Sequence, residues 1–201
     1  MPVNADNVLG FGSDDDSLYL GAYDPDLGTK ITGLTTAIPN TLVDCGWMSD
    51  GGVKITMDDS VTKVKGHQGH GVVRTFMDSS ETGLEVALLE SQLGIVTRYL
   101  NATATKIQEQ IGGGPTKTDV VKIVAKAQRK VTLCSGVLDV FDTAATGDNP
   151  TRIRIVLPRL ELGERGEVLF KVGELTAWSH KLAVTGDYII YSNAKALIPE
   201  N

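Results

Sequence analysis

The stretch GGVKITMDDSVTKVKG, residues 51–66, runs on into HQGHGVVRTFMDSSETGLEVALLE, residues 67–90, and its periodicity decides the fold class. Val53, Ile55 and Met57 alternate with Lys54 and Thr56, and the alternation returns through Val61 and Val64 after Asp58, Asp59 and Ser60. A period of two places successive side chains on opposite faces of a strand, so the pattern predicts a hairpin turning at residues 58–60. A second pair, GVVRTFM and TGLEVALLE, flanks the polar DSSE segment, with Leu84, Val86 and Leu88 on one face of the later strand. Four strands in a row are the expectation for residues 52–90.

Outward from there the period changes once. Leu89, Leu93, Val96 and Leu100 are spaced four, three and four apart, which sets them on one face of a helix over about residues 90–101. Beyond Gly112, Gly113, Gly114 and Pro115, read as a helix-to-strand connection, alternation resumes and predicts about four more strands up to residue 192. On the N-terminal side a short strand is expected at residues 17–23, followed by a turn-rich loop over 24–44. The fold class is therefore mainly β: one domain over residues 1–201, a sandwich or barrel with one packed helix and long loops. Residues 1–16 read as an N-terminal arm and 193–201 as a C-terminal tail.

Composition agrees with that class. Of the 201 residues 41% are apolar and only 5% aromatic, with 22 glycines, a balance suited to strands joined by tight turns. The formal charge of −6 opposes a role in gripping phosphate backbones, which needs Lys and Arg to release counterions. The opening residues lack a cationic and apolar leader pattern, and no run approaches a membrane span. Cys45 and Cys134 are too few for a disulfide framework; two buried thiols in a reducing cytoplasm are expected, with a single bridge between them left open.

No segment carries a recognisable chemistry, so no catalytic, cofactor or metal residue is assigned. His67 and His70 stand three apart, but His180 is distant and no acidic cluster is tied to them, so surface histidines in a turn are expected. IGGGPTKTD lacks the adjacent Gly-Lys-Ser/Thr of a phosphate loop, and GSDDDS lacks the alternating ligands of a calcium loop and reads as a solvated turn. Ser13, Ser17 and Ser135 sit in no nucleophile elbow.

The order of features resembles the tail tube (major tail) proteins of long-tailed, non-contractile bacteriophages. The matching positions are Val64, Lys65, Gln68, Gly69, Val72, Val73 and Arg74, then Glu90 at the junction of strand and helix. Pro158-Arg159, the GELTAW segment ending at Trp178 and the closing DYIIYSN complete a likeness running from about residue 9 to 192. His67 stands where the family carries a small residue or tryptophan.

The resemblance implies hexameric rings stacked into a hollow tube, with inner sheets joined into one barrel through which double-stranded DNA slides. It implies a tape measure protein and a tail terminator as partners, no cofactor, and a place in the virion tail after assembly in the host cytoplasm. Residues 52–90 are the expected inner sheet. Asp58, Asp59, Asp78 and Glu81, read at hairpin turns, are the candidate acidic lining, whose repulsion of phosphate reaches roughly 8 Å at physiological salt. Ile31, Leu34, Ile38 and Pro39 are the candidate contacts between rings, in a flexible loop whose deletion would leave a folded subunit unable to polymerise. The alternatives are a terminator or connector ring of the same fold, or a carbohydrate-binding or adhesion β-sandwich, which would be expected to show more exposed aromatic residues than Trp47, Trp178 and a few tyrosines supply.

Overall fold

The structure, a computed structural model, describes residues 8–112, 114, 116–143 and 150–199. It is mainly β. The strands are β1 (Ser17–Ala22), β2 (Leu42–Asp44), β3 (Met48–Lys65), β4 (Val72–Leu88), β5 (Ala102–Gln110), β6 (Lys117–Ala125), β7 (Thr132–Phe141), β8 (Arg152–Arg165), β9 (Trp178–Val184) and β10 (Ile189–Ser192). Among the described residues a two-turn helix, α2 (Leu93–Leu100), follows β4, a single helical turn, α1 (Leu27–Lys30), follows β1, and a 3-10 turn spans Lys195–Leu197. The strands pair antiparallel in one sheet of order β2-β1-β7-β8-β9-β4-β3, with β10 beside the first part of β8 and β9 beside its last part. β5 and β6 form a separate two-stranded ribbon.

The sheet bends over a core drawn from both of its ends. Leu18 and Leu20 of β1, Leu84, Val86 and Leu88 of β4, Leu157, Leu160 and Leu162 of β8 and Leu182 of β9 meet there, capped by Ile95, Val96 and Tyr99 of α2. The helix thus buries a different stripe from the one its leucine spacing suggests: Leu93 is exposed, and Leu100 packs only at the margin. It spans eight residues and ends at Asn101, in the left-handed conformation, from which β5 leaves at once. Accordingly the triglycine segment does not follow the helix. Gly112, with φ of +79°, and Gly114 lie between β5 and β6; Gly113 and Pro115 are outside the described residues.

β7 is buried on both faces, which explains its unbroken run from Cys134 to Asp139. Leu138 faces the main core, while Val137 joins Val156 in a second cluster with Leu27, Ile31 and Leu42. The segment read as a free loop over 24–44 is the lid of that second core. Arg154 fixes it: its Nε and Nη2 each donate to Asp139 at 2.7 Å, and its Nη1 donates to the carbonyls of Gly33 and Thr36. Residues 8–16 of the expected arm are tied down as well, with Gly10 bonded to Asp142 and Asp16 accepting from the Phe141 amide; residues 1–7 and 200–201 lie outside the described residues.

The four strands expected over 52–90 are two. β3 and β4 form one long hairpin whose turn is His67 to His70, closed by Gly66 N–H donating to the Gly71 carbonyl at 3.0 Å. Asp58-Asp59-Ser60 offers no glycine for the positive φ that tight hairpin turns need, whereas GHQGHG supplies Gly69 at +77° beside His70 at +53°. The change at residues 78–79 is a bulge: Ser60 pairs with Ser79, and Val61 with Met77.

Candidate functional site

β4 pairs with β9 only from Thr82 onward, so the hairpin leaves the body there as a two-stranded ribbon. From residue 57 to 81 every residue is exposed except Gly66, which is partly buried. The ribbon carries Met57, Val61, Val64, Val73, Phe76 and Met77 in solvent. Among the described residues β3 has no partner along its outer edge, and the distal part of β4 pairs only with β3. An isolated two-stranded ribbon is marginal in water and its free edges invite pairing. Lys54, Lys63 and Lys65, together with the bulges, blunt that edge against indiscriminate partners.

Where the hairpin joins the body, strand alternation sorts the side chains. Leu84, Val86 and Leu182 point to the core, so Glu85, Lys181 and Ala183 face outward with Glu161 of β8 and Asp58 of β3. This outer face of β3-β4-β9-β8 is a shallow groove of about 950 Å³ bearing Asp58, Glu81, Glu85, Glu161, Glu164 and Asp187. Its cations are engaged: Lys54 lies 3.8 Å from Glu85 and Lys181 lies 3.9 Å from Glu164. Gly83 and Ala183 keep the floor low between the carboxylates.

Of the four residues expected to line a lumen, Asp58 and Glu81 share the acidic outer face, whereas Asp59, the next residue along β3, points to the opposite face, and none of the four lies at a turn. Asp58 lies across from Glu81 and Asp59 across from Ser80, while Asp78 sits in the bulge and accepts from Thr62 Oγ1 at 2.7 Å. All four lie midway along the hairpin, distributed over both of its faces. Glu85, Glu161, Glu164 and Asp187 were missed because strand pairing alone carries them to the outer face. The residues expected between rings are placed otherwise: Ile31 is fully buried, Leu34, Ile38 and Pro39 are half-buried, and Arg152 and Tyr191 bond to the carbonyls of Leu34 and Ile31. Deleting residues 31–39 would open the second core, contrary to the expectation of an intact subunit.

The remaining chemical candidates take structural positions. Ser135 is buried, accepts from the Asp24 amide at 2.8 Å and donates to the Pro158 carbonyl. Ser13 Oγ accepts from the Asp15 amide, and Ser17 Oγ donates to the Asp15 carbonyl. Cys45 and Cys134 are free and buried; burial pushes their thiols up to about 12 and about 11, which leaves both unreactive. His67 and His70 are exposed at the ribbon tip. His180 is buried beside Tyr99, its Nδ1 donating to the Trp178 carbonyl, and burial lowers its pKa to about 4. Among the described residues no three His, Cys, Asp or Glu are grouped to hold a metal ion, and no helix is long and apolar enough to cross a membrane.

At the base of the ribbon Glu90 accepts from Gln92 Nε2 and from the Trp47 amide, bonds that together lower its pKa. Trp47 itself is 72% exposed, whereas Trp178 is buried with its indole N–H on Ser91. No protein-family model matches this chain, and no curated protein is significantly similar to it.

Proposed function

We propose that this chain is a self-assembling structural subunit, the building block of a phage tail tube in which hexameric rings stack into a conduit for DNA. The observation that supports it most is the β3–β4 ribbon, which carries apolar side chains and open edges into solvent with none of the described residues covering them. Copies packed side by side and end to end would cover them, and ring closure would remove the sheet edges. The acidic outer face of β3-β4-β9-β8 suits the lumen: a wall that attracted phosphate would bind DNA at every step, while one lined by carboxylates leaves it free to slide.

Within this reading the tape measure protein would occupy the lumen before DNA, and a terminator ring would close the growing end. The adhesion-module reading is weakened by the burial of Trp178, which leaves one exposed indole where a sugar platform needs several aromatic faces. Electron microscopy of the purified chain, concentrated at neutral pH with light scattering alongside, tests the proposal. Hollow filaments or stacked rings are expected. Closed rings that never stack would move the assignment to a terminator, and a chain monomeric at every concentration would overturn self-assembly.

A further inference from the structure

The two ends of the ribbon are chemically opposite. At the base, Trp47 lies on an open groove of about 490 Å³ whose wall holds Asp14, Asp16, Asp44, Asp50 and Glu90 and, among the described residues, no lysine or arginine. Asp16, Asp44 and Glu90 are engaged by backbone amides, whereas Asp14 and Asp50 carry no side-chain hydrogen bond or ion pair among the described residues. At the tip, between residues 60 and 77, the only charged side chains are Lys63, Lys65 and Arg74, with His67 and His70 in the turn. Exposed Val64, Val73 and Phe76 lie among them, and the Arg74 guanidinium stands 4.9 Å from the Phe76 ring centroid.

The tip cannot serve its own base. At roughly 3.3 Å per residue, the strand from Trp47 to Lys63 separates them by on the order of 50 Å, and the intervening ribbon makes no return to the body. We propose that the basic, apolar tip of one copy docks in the acidic Trp47 groove of another copy, head to tail. The inference deepens the self-assembly reading and rests on it. Guanidinium and ammonium groups suit both the indole face and the carboxylates. The carboxylates converge on no single ion, so the groove fits a spread cationic surface better than one cation. A contact joining different patches is heterologous, and wherever its rotation does not close a ring it propagates along an axis.

Charge reversal tests this in the full chain, with thermal unfolding as the control for folding. The groove variant carries Asp14→Lys and Asp50→Lys, the tip variant Lys63→Glu and Lys65→Glu, all at exposed positions. Each is expected to raise the concentration needed for assembly by at least about tenfold, read by light scattering. The chain carrying all four substitutions is expected to assemble within about threefold of the parent, because tip and groove again have opposite charge. A tip variant that assembles like the parent, or a fourfold variant no better than either half, overturns the docking. A second arm places His67→Cys and Asp50→Cys in one chain; native Cys45 and Cys134 are 1% exposed and stay out of the reaction. Mild oxidation of assembled material is expected to give a ladder of covalent oligomers, and assembled material without a ladder overturns the proposal. A parent chain that never assembles overturns the self-assembly reading itself, an outcome distinct from these.

Discussion

Asp58 of β3 lies directly opposite Glu81 of β4 in the ribbon's antiparallel register. Like charges facing each other across two strands oppose the pairing, so this pair costs stability in the folded chain. Glu81→Gln is expected to raise the melting temperature by about 1–3 °C at low salt, with the gain vanishing near 1 M salt. Calorimetry at two ionic strengths checks it. A decrease at low salt would mean that these carboxylates do not repel each other in the folded chain.

Arg154 and Asp139 form a two-bonded pair with side chains only 5% and 8% exposed. Asp139→Ala would strand the guanidinium beneath the lid segment, and a loss of about 3–5 kcal/mol is expected in denaturant unfolding. Replacing both, as Asp139→Leu with Arg154→Met, is expected to cost markedly less. The carbonyls of Gly33 and Thr36 would still lose their donor in that double variant.

Ile31 is fully buried between Leu27, Val137 and Val156. Ile31→Ala is expected to cost about 2–4 kcal/mol, and a chain lacking residues 31–39 should lose cooperative unfolding altogether. Circular dichroism melts distinguish these from an inert surface loop, for which neither change would register.

His180 supplies a pH dependence. Burial, reinforced by the nearby positive charges of Arg98 and Arg165, lowers its pKa from 6.5 to about 4, against a smaller upward pull from its bond to Trp178. The unfolded chain therefore takes up a proton on this imidazole at higher pH than the folded one. The stability so conferred is full above about pH 6.5 and declines as the pH falls towards 4, by about 3 kcal/mol in all. His180→Gln should flatten the profile in that window whatever it does to absolute stability.

Gly46 has φ of +67°, and a Cβ there would fall 2.0 Å from the Glu90 carboxylate. Gly46→Ala is expected to lose about 2 kcal/mol or more by combining backbone strain with a displaced Glu90. Thermal unfolding gives the loss, and the fluorescence of Trp47, whose amide Glu90 holds, should shift with it.

The sheet-rich class was legible because alternation of Val, Ile and Leu survives wherever one face is buried, as at Leu84, Val86 and Leu88. The ribbon was legible as strand but not in length. With both faces wet, nothing in the pattern marks where pairing ends, and Asp58-Asp59-Ser60 looks like a turn while passing straight through. β5 was hidden because ATATKIQEQ continues the polarity of the helix end, and no buried face constrains it. The lid over 24–44 was read as loop since its anchors, Leu27, Ile31 and Leu42, have no period; only the doubly buried β7 shows that a second layer must exist. The acidic face was half legible, for sequence placed Asp58 and Glu81 but could not bring Glu161, Glu164 and Asp187 beside them.

One strand, β4, is anchored in the core by Leu84, Val86 and Leu88 and continues without interruption to the ribbon tip. A pull applied at the tip along the ribbon axis would therefore load the hydrogen bonds of Thr82–Leu88 with β9 in shear, all together, and not peel them one at a time. The hairpin is mechanically a tie rod seated in the body of the fold, able to carry tension along its length while the structure around it stays intact.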